Sequence, residues 1–376
     1  MDVKCRFLRQ LLIILTMGLM NSCSMFGSLD AQNDVSNSQL SADQNTNTPG
    51  QTQTTEQPRQ IALLLPKEGS GLVNAGNAVE AGFMADYKNT SPLPAIKVYD
   101  QDQYNQAVQD GANYIVGPLD KIKVTQLQDD PSISKQHVTI IALNNPDDSK
   151  FVPNMIKFSL SPLQEAQQIA DKAFHDGHHT ALLITPKGDW GQNIANALQQ
   201  RWESDGGKIV NSIVVDNLNT LNKQTQQLLQ DHTQAEAIFM IVQPTFARQL
   251  KPLLNYYHAD NIAVYSTSLI YSGLPDSNKD NALNGVIFCD MPIVLDQYSP
   301  WASTRSDMIS TQATAIQKYI RLYALGWDAA YLTKHFDQIH QGVYGATGKL
   351  TLSPQNEIIR TLKFAIFKNG QPQLLS

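Results

Sequence analysis

Residues 61–85 read IALLLPKEGSGLVNAGNAVEAGFMA, and the rest of the chain repeats their pattern of apolar and polar positions. A run of apolar residues ends at Pro66, a glycine-bearing turn follows, and apolar residues then recur at helical spacing. This order predicts a strand that is buried on both faces, a tight loop and a helix. Ligands of open parallel sheets bind at the carboxyl ends of the strands, so the loop at 66–74 is a candidate wall of a binding cleft.

Strand and helix patterns alternate from this unit to about residue 290. After the opening strand, the first set predicts strands at 95–99, 114–116, 138–143 and 155–158, with helices at 104–109 and 119–128. The second set predicts helices at 162–176, 191–203, 218–230 and 245–257, with strands at 180–184, 208–215, 237–241, 262–265 and 285–288. Alternation of this kind is typical of doubly wound parallel sheets, and two sets of similar size predict two lobes.

The pattern changes beyond residue 290. Two helices are predicted at 306–319 and 322–341, followed by a hairpin of strands 348–352 and 358–368 around a turn at 354–356. Strand periodicity after a helical run indicates that the chain crosses between the lobes again. The expected fold class is therefore α/β with three interlobe crossovers, lobe 1 comprising 61–159 plus 292–343 and lobe 2 comprising 160–291 plus 344–376.

The first residues have the pattern of a secretory signal. Basic residues precede the apolar run 11–20, which is too short for a permanent membrane span and has the length of a signal core. The sequence LMNSC that ends at Cys23 resembles a bacterial lipobox, which predicts a signal peptide at 1–22 and lipidation of Cys23. Because Ser24 stands where an aspartate would retain the protein in the inner membrane, we expect the outer membrane. An ordinary signal peptide or an uncleaved anchor is the alternative.

Composition then limits the remaining possibilities. Residues 23–60 are rich in Asn, Gln, Ser and Thr and poor in large apolar residues, so we expect a disordered tether. Beyond Cys23 the only cysteine is Cys289, in an apolar run, which predicts a buried free thiol and no disulfide in the mature chain. A formal net charge of −6 and the lack of a basic stripe argue against a nucleic-acid partner.

Three local patterns approach known motifs and fail. The glycines at 69–76 lack the third glycine of a dinucleotide loop, since Asn74 stands there, and 345–349 lacks the first glycine and the hydroxyl residue of a phosphate loop. The histidines at 175–179 have no carboxylate or cysteine at ligand spacing. The sequence therefore predicts no cofactor, no metal and no enzymatic activity.

Several short segments, taken in order, carry a resemblance to a known family. They are IALLLP at 61–66 with AGNAVEAGF at 75–83, QDGA at 109–112, VGPL at 116–119, IALNNP at 141–146, FSLSP at 158–162 and YALGWDA at 323–329. Together they resemble the LppC/LpoA family of outer-membrane lipoproteins that activate class A penicillin-binding proteins. The segment GATGKL at 345–350 also resembles the last crossover of type I periplasmic binding proteins, the fold group of that family's carboxyl-terminal domain.

The resemblance implies a function as well as a fold. It implies a two-lobed, type I periplasmic-binding-protein-like chain, lipid-anchored at the periplasmic face of the outer membrane. Such a chain would activate a class A penicillin-binding protein, a peptidoglycan synthase, by direct contact and without catalysis. A solute-binding lipoprotein for an amino acid or a cell-wall fragment stays open as the alternative.

By the same resemblance, three pairs of residues would line the cleft between the lobes. They are Ser70 and Gly71, Gly117 and Pro118, and Asn144 and Asn145. In amino-acid-binding relatives the second pair would supply hydroxyl groups and backbone N–H donors, whereas Pro118 removes a donor. We therefore expect a degraded pocket, which argues against a small-molecule ligand. The two asparagines have a second interpretation, as turn residues before Pro146.

Overall fold

The computed structural model describes residues 59–67, 69–230, 234–296 and 299–375. The predicted signal peptide, the lipidation site Cys23 and the tether up to residue 58 lie outside these residues. None of the helices in the described ranges has both the length and the apolar character that a membrane crossing needs.

The first of the predicted α/β sets forms a sheet of five parallel strands within the described residues, in the order β2-β1-β3-β4-β5. Its strands are β1 (Gln60–Leu64), β2 (Ala95–Tyr99), β3 (Tyr114–Val116), β4 (Thr139–Ala142) and β5 (Met155–Lys157). Its helices are α1 (Val73–Tyr87), α2 (Tyr104–Gln109) and α3 (Lys121–Asp129). The interior strand β1 is apolar at four successive positions because helices cover both of its faces.

The second set supplies most of another sheet. Its strands are β6 (Thr180–Pro186), β7 (Lys208–Val215), β8 (Ala237–Met240), β9 (Ala263–Ser266) and β10 (Val286–Asp290). Its helices are α4 (Pro162–His175), α5 (Asp189–Ser204), α6 (Leu221–Leu229), α7 (Pro244–Tyr256) and α8 (Ser277–Asp280). Helix α4 begins where the sequence predicted, because Pro162 occupies its first turn and the Ser161 hydroxyl accepts a hydrogen bond from the Gln164 N–H.

The last part of the chain returns to the first sheet and then crosses back. It contains α9 (Pro292–Leu295), α10 (Trp301–Thr311), α11 (Thr314–Gln317), α12 (Ile320–His335), β11 (Val343–Gly345), β12 (Gly348–Leu352), β13 (Ile358–Thr361), β14 (Lys363–Lys368) and β15 (Gln371–Leu374). Short 3-10 helices complete the described elements at Ile133–Lys135, Leu218–Thr220, Ser268–Ile270, Asn281–Leu283 and Phe336–Gln341.

Helix α12 packs against α1 at very short range, which places it on the first sheet. A side chain at Gly82 would lie 1.9 Å from the Tyr323 carbonyl oxygen, and one at Gly326 would lie 2.0 Å from the Val79 carbonyl oxygen. Only glycine allows the two backbones to approach this closely. The pattern Gly326-Trp327-Asp328 in the sequence is therefore partly a packing requirement.

The two-lobed α/β fold with three crossovers is confirmed. The chain passes from β5 to α4, from β10 to α12 and from β13 to β14. Strand β14 joins the second sheet antiparallel to β10, and β15 pairs antiparallel with β14, giving the order β15-β14-β10-β9-β8-β6-β7 in the described residues. One edge of this sheet is thus antiparallel, whereas the sequence predicted parallel sheets. The lobe boundaries near residues 160, 292 and 344 stay a proposal.

Two predicted elements are corrected by the structure. The strand expected at 358–368 divides at Leu362, because β13 pairs with β12 while β14 belongs to the second sheet. The helix expected at 306–319 starts at Trp301 and breaks after Thr311, where Gln312 is extended with φ −96° and ψ 148°. The Gln317 side-chain amide donates to the carbonyls of Ile309 and Gln312, both at 2.8 Å, and so stabilises the break.

Candidate functional site

A cavity of about 530 Å³ lies between the loop after β4 and the first turns of α4 and α5. We call it the amide cavity after the five side-chain amides that line it, those of Asn144, Asn145, Gln164, Gln167 and Asn193. Its apolar wall includes Leu160, Pro162 and Ile194, and Trp190 lies at its edge with 48% of its surface exposed. The first crossover therefore forms the floor of a cavity whose walls come from both predicted lobes.

A second cavity of about 520 Å³ adjoins the first. The two share four lining residues, Leu160, Pro162, Trp190 and Ile194. The far wall of the second cavity consists of residues that follow β8 and β9, together with Glu165 and Arg321. We call it the network cavity because buried charges surround its base.

These charged residues and one serine form a group that we call the crossover network. It consists of Glu165, Ser268, Asp290, Arg321 and Arg360. Glu165 Oε2 accepts hydrogen bonds from the Ser268 N–H at 3.1 Å and from its hydroxyl at 2.7 Å. Arg321 donates to both carboxylate oxygens of Asp290, at 2.9 and 2.5 Å, and to the carbonyls of Ser268 and Tyr271. Arg321 is thus held by an ion pair and by two backbone carbonyls within the chain.

The contact between Arg360 and Glu165 is of a different kind. Arg360 is 1% exposed, and its Nη2 lies 3.6 Å from Glu165 Oε1. None of its three guanidinium nitrogens has a hydrogen-bond partner among the described residues. Burial lowers the pKa of Arg360 and raises the pKa of Glu165. This pair is therefore a buried charge contact without hydrogen bonds.

The members of the network come from all three crossovers. Glu165 follows the first crossover, Asp290 and Arg321 flank the second, and Arg360 lies on β13 just before the third. Contacts through Ser268 join these segments. The network therefore ties together the three places at which the chain passes between its sheets.

Another buried carboxylate holds the chain before the third crossover. Asp328 of α12 accepts from the N–H groups of Ala346 and Thr347, at 2.7 and 2.8 Å, and from the Thr347 hydroxyl at 2.6 Å. Burial raises the pKa of Asp328 to about 6, although these hydrogen bonds act in the opposite direction. A side chain at Gly345 would lie 2.5 Å from Asp328 Oδ2. This close approach explains why a glycine stands at position 345, in the segment whose sequence resembles a phosphate loop.

The asparagines that the sequence singled out line the amide cavity. The Asn144 amide donates to the Leu119 carbonyl at 3.0 Å, and its Oδ1 accepts from the Asn145 N–H at 3.0 Å, so Asn144 also shapes the turn. Asn145 Oδ1 is buried and has no hydrogen-bond partner among the described residues. Asn144 and Asn145 thus line the amide cavity and also take part in the turn before Pro146, while ligand binding by them stays a prediction.

The other two pairs of predicted residues lie elsewhere. Ser70 and Gly71 occupy the turn before α1, where the Ser70 hydroxyl accepts from the Leu72 N–H at 3.1 Å. Gly117 and Pro118 are buried, and the Pro118 carbonyl accepts from the Leu143 N–H at 3.0 Å. Neither pair lines the amide cavity or the network cavity. The structure therefore does not bring the three pairs together around one cavity, and ligand binding by them stays a prediction.

The sequence interpretation did not single out Trp190, Gln167 or Asn193. The sequence does contain an indication for Trp190. Gly188 lies in the loop after β6, and Trp190 is the second residue of the helix that follows, α5. Gly188 has φ 103°, and a side chain at Gly191 would lie 1.9 Å from the Pro186 carbonyl oxygen. Helix α5 can therefore start directly after the strand and place Trp190 at the cavity edge. In the described ranges no three His, Cys, Asp or Glu side chains are grouped as metal ligands would be.

Comparison with known proteins agrees with this architecture. The family model described as "LppC putative lipoprotein" matches residues 51–370. The chain belongs to the LppC family. A curated relative, the penicillin-binding protein activator LpoA of Haemophilus influenzae, is 29% identical over 323 residues, which are 83% of this chain and 54% of the relative. This LppC chain thus spans about half the length of such curated relatives.

Solved structures extend the comparison to the fold of this LppC chain. The LpoA C-domain of Haemophilus influenzae, described as a regulator of PBP1A, superimposes with a TM-score of 0.72 at 27% identity, covering 84% of this chain and 100% of that domain. A protein of Chromobacterium violaceum described as a branched-chain amino acid ABC transporter gives a TM-score of 0.66 at 27% identity, over 82% of this chain and all of that one. The resemblance stated from the sequence and the type I periplasmic-binding-like fold are both confirmed.

Proposed function

We propose that this chain activates a class A penicillin-binding protein by direct contact in the periplasm and performs no catalysis itself. The observation that carries the proposal is the match of 84% of this chain to the whole LpoA C-domain, a protein described as a regulator of PBP1A. Contact requires only a surface, whereas activation requires that the chain bind the active state of the synthase more tightly than the inactive state.

The chemistry of the described residues supports a role without catalysis. The only cysteine in the described ranges, Cys289, is fully buried, and burial raises the pKa of its thiol well above the ordinary value. A thiol in that environment is not an available nucleophile. In the crossover network, Asp290 and Arg321 form a hydrogen-bonded ion pair, and Glu165 accepts two hydrogen bonds from Ser268.

We further propose that Cys23 carries lipid and anchors the chain at the periplasmic face of the outer membrane, with residues 24–58 as the tether, because Gln60 already belongs to β1. An anchored protein meets a synthase at a higher effective concentration than a freely diffusing one does. The tether would let the folded residues approach a partner in the cell wall.

Binding to purified synthases tests the proposal. The full chain is expected to bind a class A penicillin-binding protein held in detergent micelles and not a class B enzyme, which lacks the glycan-polymerising domain. Biolayer interferometry with both enzymes immobilised at equal density provides the measurement. Equal binding to both, or binding to neither, would contradict the proposed partner.

A further inference from the structure

Three of the five side-chain amides that line the amide cavity have hydrogen-bonding atoms without a partner among the described residues, whereas Asn144 and Gln164 are bonded within the chain. Asn145 Oδ1 is buried without a partner, and the side-chain amides of Gln167 and Asn193 form no hydrogen bond with any other described residue. A primary amide offers two donors and an acceptor, so it can bond to groups that both donate and accept. Hydroxyl groups are the commonest ligand groups of that kind. The cavity therefore presents several unfilled positions suited to hydroxyls.

The apolar wall next to these amides complements the carbon face of a sugar ring. Trp190 is about half exposed, and the partly exposed Leu160 and Pro162 continue its surface. An exposed indole beside such residues is a large apolar surface with a polar N–H, and it binds ligands that are themselves part apolar and part polar. Sugar rings have this character, because their C–H groups form one face and their hydroxyls project from the edge.

The charged groups at the amide cavity are paired with one another. Lys121 forms an ion pair with Asp147. Glu357 accepts from the Ser149 hydroxyl at 2.5 Å, and the buried Lys157 donates to the same hydroxyl at 2.7 Å. An amino-acid ligand would need a free cation for its carboxylate and a free acceptor for its ammonium group, since a charge that leaves water must be compensated. The described lining of this cavity therefore favours an uncharged ligand.

The size of the site favours more than one ring. Volumes of about 530 and 520 Å³ lie within the range of roughly 300–1,000 Å³ that is usual for ligand pockets. The two cavities meet at Trp190, so a ligand stacked on the indole can extend to both sides.

We propose that the amide cavity and the adjoining network cavity bind an uncharged oligosaccharide, with Trp190 as the stacking platform and Asn145, Gln167 and Asn193 as its hydrogen-bonding groups. This inference goes beyond the proposed contact with a synthase. It can fail while that contact holds, and the reverse is equally true, because sugar binding is measured without any synthase.

Isothermal titration calorimetry of the full chain tests the site with three probes: tri-N-acetylchitotriose, maltotriose and leucine. Saturable binding of either trisaccharide is expected, and the comparison between them shows whether the acetamido groups contribute. Saturable binding of leucine alone, or no saturable binding of either sugar, would overturn the proposal.

Variants locate the binding within the molecule. Trp190→Ala is expected to weaken sugar affinity by about tenfold or more, and Asn193→Ala and Gln167→Ala by a few-fold each. Tyr256→Ala is the matched control, because Tyr256 is 73% exposed and lines neither cavity, so its affinity should equal that of the unaltered chain. An unchanged affinity in Trp190→Ala, with sugar still bound, would place the ligand elsewhere and refute the assignment.

Discussion

The crossover network and the amide cavity lie side by side, and they differ in how their polar groups are satisfied. Arg321 and Asp290 in the network bond to one another, and Arg321 also donates to the carbonyls of Ser268 and Tyr271. Gln167 and Asn193 in the cavity have no such partners among the described residues. A buried charge must be compensated for the chain to fold, whereas an exposed amide is satisfied by water. The network therefore holds the crossovers in place, and the cavity is free to bind something else.

The largest effect on stability is expected from removing Asp290, which tests whether the crossover network stabilises the fold. Asp290→Ala leaves the largely buried Arg321 side chain, which is 22% exposed, without its carboxylate, and we expect the free energy of unfolding to fall by about 3–5 kcal/mol. Urea denaturation of the full chain, followed by circular dichroism, measures the loss.

The control for Asp290→Ala is an exposed ion pair. In the contact between Lys187 and Asp216, 71% and 44% of the two side chains are exposed, so Asp216→Ala should have little effect. If Asp290→Ala were no more destabilising than Asp216→Ala, the network would not have the stabilising role assigned to it.

A second change concerns Asp328 and depends on pH. In Asp328→Asn the amide nitrogen that replaces one carboxylate oxygen cannot accept the hydrogen bonds from Thr347. Near pH 4 we therefore expect the free energy of unfolding to fall by about 2–3 kcal/mol. Burial raises the pKa of Asp328 from 3.8 to about 6, so the native state keeps a proton that the unfolded state releases.

The resulting pH profile has a definite sign. The contribution of Asp328 to stability is complete below pH 4 and declines as the pH rises through 6, by up to about 3 kcal/mol. The difference in unfolding free energy between the unaltered chain and Asp328→Asn should therefore shrink from pH 4 to pH 7. Urea titrations at several pH values measure it, and a difference that is independent of pH would show that the pKa of Asp328 is not raised.

The pair formed by Arg360 and Glu165 offers a sharper comparison inside the network. Its guanidinium nitrogens form no hydrogen bonds with described residues, so the charge contact offsets little of the cost of burying Arg360. We expect the free energy of unfolding of the double variant Arg360→Met/Glu165→Gln to lie within about 1 kcal/mol of that of the unaltered chain, because the introduced glutamine could still accept hydrogen bonds from Ser268. A loss as large as that of Asp290→Ala would mean that both ion pairs stabilise the fold equally.

The smallest effects on stability are expected in the cavity. Trp190→Ala, Gln167→Ala and Asn193→Ala remove partly or fully exposed side chains, and each should change the free energy of unfolding by about 0.5 kcal/mol or less. The same urea experiments measure these changes. A large loss for any of the three would assign that side chain to the fold instead of to a ligand.

Much of the fold could be predicted because its signals are local. The bounds of β2, β3, β7 and α2 agree with the sequence prediction to the residue, since apolar periodicity within each segment defines them. The division of the predicted strand at Leu362 could not be seen this way, because the periodicity of two continues through it. Only the pairing of β13 with β12, and of β14 with β10, separates the two strands.

The candidate site was harder to predict from the sequence, because it depends on contacts between segments that are distant in the chain. Asn144 and Asn145 were named through the family resemblance, which places cleft residues after the fourth strand, but Gln167 and Asn193 lie on helices where a polar residue is ordinary. The crossover network joins residues that are more than a hundred positions apart, such as Glu165 and Ser268. One indication of the network was present in the sequence. Arg360 is a charged residue at an inward-facing position of a strand whose side chains alternate between buried and exposed.

The rate of peptide cross-linking by a purified class A penicillin-binding protein, measured with and without the full chain, tests the proposed activation most directly. Labelled lipid-linked substrate, a chain concentration that saturates binding, and a class B control supplied with glycan strands polymerised beforehand define the experiment. Activation by contact predicts that the class A enzyme cross-links faster when the chain is present and that the class B enzyme does not. An unchanged class A rate at a chain concentration that saturates binding would contradict it.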